Sequence, residues 1–159
     1  MWWSDRRAII LGLLALSGCG FTPVYGPGSK AEILLGHVQI TAPETVDGYH
    51  LLQALRDRFG ESIGTAYDLK VTLEINEVAA ATTTEGSTTR YTLPGKASYV
   101  LSNLAGFTLA QGTVDSFTSY SATGTTVATS TAQADARARL AQILADQIVT
   151  RLSVADLTP

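Results

Sequence analysis

The segment from Tyr67 to Asn76 constrains this chain more than any other. Tyr67, Leu69, Val71, Leu73 and Ile75 alternate there with Asp68, Lys70, Thr72, Glu74 and Asn76. A period of two puts one set on each side of a β-strand, so one face is buried and the other is wet. A sheet with one wet face is usually antiparallel, because parallel sheets are covered on both sides. Its apolar face must then be covered by elements that are apolar on one side only.

Two helices meet that need. A helix begins near Asp47, a good N-cap residue, with Val46 and Leu51 spaced for a hydrophobic staple. Leu51, Leu52, Leu55 and Phe59 recur at helical spacing, and Gly60 supplies a stop. A second helix closes the chain. Ser130 and Gln133 fit a capping box, and Ala136, Leu140, Ile143, Leu144, Ile148 and Leu152 form one apolar stripe.

Three further strands complete the pattern. The first runs from Glu32 to Thr41. A Thr-rich turn centred on Glu85-Gly86 leads to the third, with Tyr91, Leu93, Ala97, Tyr99 and Leu101 on one side. Pro94-Gly95 interrupts that strand and suggests an edge or a bulge. The fourth extends from Phe107 to about Tyr120, with a bulge expected near Gln111-Gly112. The order β-α-β-β-β-α predicts an α+β two-layer sandwich, two helices on one face of a four-stranded, mainly antiparallel sheet. The strand order stays open.

The N-terminus has a different character. Arg6 and Arg7 precede nine apolar residues, Ala8 to Leu16, followed by the small residues Ser17 and Gly18. This is the tripartite form of a secretory signal, with an apolar core too short to span a bilayer. Cys19, the only cysteine, comes next. Leu16-Ser17-Gly18-Cys19 resembles the lipobox of bacterial lipoproteins, which implies cleavage before Cys19 and lipid on its sulfur and amine. Residues 1–18 are thus expected as a cleaved signal, 19–30 as a lipidated tether rich in Gly and Pro, and 31–159 as one domain. Gly20 stands where an aspartate would resemble an inner-membrane retention signal, so the outer membrane is expected. Removing Asp5, Arg6 and Arg7 from a chain of 11 basic and 14 acidic residues leaves a net charge of −4. That acidic balance argues against nucleic acid as a partner.

Catalytic chemistry finds little support. His37 and His50, the only histidines, have no sequence partners that suggest a triad or a metal site. Phosphate-loop, dinucleotide and nucleophile-elbow motifs do not occur. Glu74 and Glu77 read as a solvated pair on a strand. No enzyme activity, catalytic residue, metal or cofactor is expected. The wet face of the sheet offers Lys70, with Arg90 and Lys96, as cations able to meet the phosphates of an anionic lipid. The competing reading is ordinary mixed surface charge, since Asp68 and Glu74 share that face.

A family resemblance rests on three segments. Leu16-Ser17-Gly18-Cys19-Gly20-Phe21, followed by Thr22-Pro23-Val24-Tyr25-Gly26, looks like the start of the LptE lipopolysaccharide-assembly lipoproteins. Gly86-Ser87-Thr88-Thr89-Arg90-Tyr91 is similar to the family's turn into its third strand. Gln147-Ile148-Val149-Thr150-Arg151-Leu152 matches its C-terminal pattern. The resemblance implies an outer-membrane protein on the periplasmic side that plugs the β-barrel LptD, assists its assembly and contacts lipopolysaccharide. In the family, basic residues of the turn between strands two and three are linked to that contact. Here the turn carries Glu85, and its one arginine is Arg90. The residues by themselves also fit an auxiliary lipoprotein of an envelope lipid transporter, or a structural envelope lipoprotein.

Overall fold

The computed structural model describes residues 33–155. The signal segment, Cys19 and the expected tether lie outside the described residues. Seven elements follow in order: β1 (Val38–Thr41), α1 (Val46–Phe59), β2 (Tyr67–Ile75), β3 (Val78–Thr82), β4 (Thr88–Asn103), β5 (Thr108–Ser121) and α2 (Thr126–Val154). They form the expected two-layer α+β sandwich, with five strands instead of four.

The long β4 is the spine of the sheet. It pairs antiparallel with β2 over its C-terminal half, with β3 over its N-terminal half, and with β5 along its other side. β1 adds to β2 in parallel, Val38 opposite Tyr67. β5 pairs with β4 alone, so its outer edge is unpaired among the described residues. The alternation in β2 does what its period requires, with Leu69 and Val71 in the core and Lys70, Thr72 and Glu74 in solvent.

The helices cover one face together. α1 contacts β1 and β2, α2 contacts β4 and β5, and the helices pack on each other. α1 buries Leu51, Ala54, Leu55 and Phe59, and α2 buries Ala136, Leu140, Leu144, Ile148 and Leu152. Ion pairs Asp47–Arg137 and Arg58–Asp146, both at 2.7 Å, join early to early and late to late positions. The two helices therefore run in the same direction. Ala141 and Ala145 follow Arg137 at four-residue steps, on the side that faces α1, where small side chains permit close approach.

Several expectations need correction. The first strand is short, because Gly36 adopts a positive φ of 71° and donates its N–H to Phe59 O at 2.7 Å. That bond turns the chain against the end of α1, so Ile33 to Leu35 are not in the sheet. Thr45, not Asp47, caps α1, its hydroxyl accepting from Gly48 N at 3.0 Å. Val46 is 75% exposed, so no staple forms with Leu51.

The last helix starts at Thr126, capped by Thr125, and Ser130 lies inside it, its hydroxyl donating to Val127 O at 2.9 Å. Ile143 leaves the buried stripe and is 37% exposed.

Pro94 interrupts nothing: β4 runs through it as an interior strand. Its carbonyl accepts from Asn76 N at 3.0 Å. A strand residue's N–H and C=O point to the same side, so the missing donor faces the gap where β2 gives way to β3. The β5 bulge falls between the pairs Leu101–Ala110 and Ser102–Thr108, earlier than Gln111. Gly112 has another reason to be glycine. A Cβ there would stand 2.8 Å from the Tyr99 hydroxyl and 3.0 Å from its ring.

Candidate interaction surface on the open face of the sheet

The face of the sheet turned away from the helices is left uncovered among the described residues. Its rows can be read from the register. Lys70, Val100 and Gln111 form one row; Thr72, Ser98 and Thr113 the next; Glu74, Lys96 and Asp115 the third. Beyond them come Pro94 with Phe117, Thr92 with Ser119 and Arg90 with Ser121. Ser98 Oγ and Thr113 Oγ1 are hydrogen-bonded at 3.0 Å. The surface is rich in short hydroxyl side chains, with Phe117 standing out of it at 70% exposure. Such a face presents donors and acceptors broadly.

Lys70, Arg90 and Lys96 all belong to this face, but the fold does not gather them. From Val100, the partner of Lys70, to Lys96 is four residues along β4, roughly 13 Å at the usual strand rise. Arg90 lies six residues further, roughly another 20 Å. Lys96 also sits between Glu74 and Asp115 on its two neighbouring strands. Three separate cations in a mixed field are what the register produces.

Glu74 and Glu77 part company at the end of β2. Glu74 stays on the open face, while Glu77 joins a polar cluster between the start of α1 and the interior of α2. Gln133 Nε2 donates to Glu77 Oε2 at 2.5 Å, and Arg137 Nη2 lies 3.8 Å from the same oxygen. Arg137 Nη1 donates to Asp47 Oδ2 at 2.7 Å. Tyr120 stacks on Tyr91 with ring centroids 5.3 Å apart. Burial and the adjoining Glu77 carboxylate hold the Tyr120 hydroxyl above the ordinary tyrosine range. Asp47 Oδ1 is buried without a hydrogen-bond partner. Sequence reasoning missed this cluster, since its members come from four elements and from the β2–β3 junction. The only signal was Arg137 lying off the apolar stripe.

The histidines have structural surroundings. His37 Nδ1 is 2.8 Å from Gly64 O, and His50 packs edge-on to Tyr49. Among the described residues no group of His, Cys, Asp and Glu could hold a metal ion, and no helix is long and apolar enough to cross a membrane.

Known proteins share this architecture. A family model described as LptE, lipopolysaccharide-assembly, matches residues 35–152. A protein of Caulobacter crescentus CB15 assigned as a lipoprotein is 24% identical, with a TM-score of 0.63 over 77% of this chain and 92% of that one. A minor lipoprotein from Acinetobacter baumannii is 18% identical, with a TM-score of 0.56 over 78% and 96%. The rare lipoprotein B of Shewanella oneidensis is 13% identical, with a TM-score of 0.55 over 73% and 91%. At these identities the likeness is one of fold. No curated protein matches the chain.

Proposed function

The chain belongs to the LptE family of lipopolysaccharide-assembly proteins, and we propose that it is the plug and assembly partner of the outer-membrane β-barrel LptD. In this reading the precursor is cut before Cys19, and lipid on that cysteine holds the domain on the periplasmic side of the outer membrane. Stable anchoring takes about two acyl chains or more, which a lipidated N-terminal cysteine provides. The protein acts by binding, without catalysis.

The observation that carries the proposal is the open face of the sheet. A barrel lumen is lined by polar side chains. The Thr72–Ser98–Thr113 row and its neighbours offer a lumen many short hydrogen-bonding groups at modest ordering cost. Lys70, Arg90 and Lys96, being dispersed, would serve as separate charge-assisted contacts to the phosphates of lipopolysaccharide.

Affinity purification of the tagged protein from outer membrane tests the partnership. One large β-barrel should come with it in about equal amount. Recovery without any barrel removes the proposal. Recovery of an ATPase or permease instead would identify an auxiliary subunit of a lipid transporter.

A further inference from the structure

The two ends of the sandwich differ in chemistry. The row Val38–Tyr67–Asn103 crosses the sheet near one end. Just beyond it lie Leu35, Ile63 and the β4–β5 tip, Leu104 to Phe107. Ile63 donates its N–H to Gly36 O at 2.8 Å, which seats it beside Gly36, the residue after Leu35. Ile63 is 92% exposed, Leu104 71%, Phe107 65%, Ile33 48% and Leu35 41%. Among the described residues, Phe117 is the one other Leu, Ile or Phe above 40%. The opposite half carries the threonines and serines of the 83–87 turn and the 121–125 loop, with Val46, Tyr49, Val78 and Val127 as its exposed apolar side chains.

The apolar tip is built, not merely left over. Gly106, at φ 84°, donates to Asn103 O at 2.9 Å, and Phe107 N donates to Asn103 Oδ1 at 3.0 Å. These bonds hold Leu104 and Phe107 outward on a turn whose four residues, Leu104-Ala105-Gly106-Phe107, bear no charge.

We propose that this end of the domain rests in the lipid surface, with Leu104, Phe107, Ile63 and Leu35 entering the boundary between headgroups and acyl chains. The inference builds on the reading of Cys19 as the lipid anchor. Ile33 is fourteen residues from Cys19, a span of at most about 50 Å when fully extended. That is about the length of the sixteen-residue β4. The polar end could therefore reach the membrane only with the intervening chain drawn taut along the whole domain. The apolar end can reach it freely, and removing its side chains from water favours the contact. A barrel wall would separate a seated plug from lipid, so this contact belongs to the domain before it enters a barrel.

The mature chain allows a direct test. Both tryptophans, Trp2 and Trp3, precede Cys19, which is the sole thiol. Residues 19–159 of the Phe107→Trp, Leu104→Trp and Phe117→Trp proteins are coupled through Cys19 to a maleimide phospholipid. The vesicles contain phosphatidylethanolamine and phosphatidylglycerol with brominated acyl chains, and circular dichroism establishes folding. Fluorescence of the Phe107→Trp and Leu104→Trp proteins should be quenched at least twofold more than that of Phe117→Trp. Equal quenching at all three positions, or none at the tip, overturns the proposal. Chemical coupling makes this result independent of lipidation in the cell. That is read separately by palmitate labelling, which the Cys19→Ala precursor should lose.

Discussion

The hydroxyl of Thr118 in β5 donates to the carbonyl oxygen of Ala136 in α2 at 2.9 Å, joining the two layers through the core. Thr118 is itself buried, so the bond forms away from water. Thr118→Val keeps the shape and removes the donor, so it should lower stability by about 1 kcal/mol. Thr118→Ser should retain the bond while losing a methyl group. Urea denaturation of both proteins would measure the difference.

Two ion pairs join the same two helices, and they should differ in worth. Arg58 and Asp146 are 39% and 52% exposed, and breaking them should cost about 0–1 kcal/mol. Arg137 and Asp47 are 28% and 22% exposed, and Arg137 also faces Glu77. Arg137→Met leaves two carboxylates without their cation and should cost roughly 2 kcal/mol, between the surface and buried cases. A double-mutant cycle with Asp47→Asn isolates the pair.

Gly112→Ala should destabilise the domain by about 1–3 kcal/mol, because the added methyl meets the ring of Tyr99. Tyr99→Phe removes the closest atom and should recover part of the loss. Additive effects of the two changes would mean that the contact is not the cause.

Tyr120 sets a limit at alkaline pH. Its folded-state pKa is raised by burial and then by Glu77. As pH rises through the ordinary tyrosine value near 10, the unfolded chain releases this proton before the folded one does. The unfolded state then binds fewer protons, so stability falls as pH increases. Below that value the contribution is fully present. Tyr120→Phe should flatten this part of the stability–pH curve, as measured by thermal melts between pH 8 and roughly 11.

Leu144 has no exposed surface and lies near Gly95 in the middle of the helix–sheet interface. Leu144→Asp puts a carboxylate there with no partner and should cost more than about 4 kcal/mol. A melting temperature equal to that of the parent protein would contradict this placement.

The elements legible in the sequence were those in which one physical signal acted alone. β2 showed a clean period of two, and the buried stripes of α1 and α2 showed their helical period. β3 was hidden because Val78 to Thr82 is exposed throughout and alternates nothing. The opening of α2 was hidden by its threonines and serines, which are poor helix formers; Ser130 and Thr131 return their hydroxyls to Val127 O instead. Pro94 suggested an edge because its tolerance depends on a gap between two other strands. For the open face, alternation assigned Lys70 to the wet side. The separation of Lys70, Arg90 and Lys96 depends on a register that no local pattern encodes.

The position of the Thr83–Ser87 turn has a consequence for the integrity of the chain. All five residues are exposed, and they separate β1, α1, β2 and β3 from β4, β5 and α2. β4 is paired with β2 and β3 across that division, and α1 lies on α2. A protease that cleaves this turn would thus divide the covalent chain and leave the interlocked halves assembled. Expressed as two separate polypeptides, the halves should reconstitute the domain by complementation, because each supplies the hydrogen-bonding and apolar partners that the other lacks.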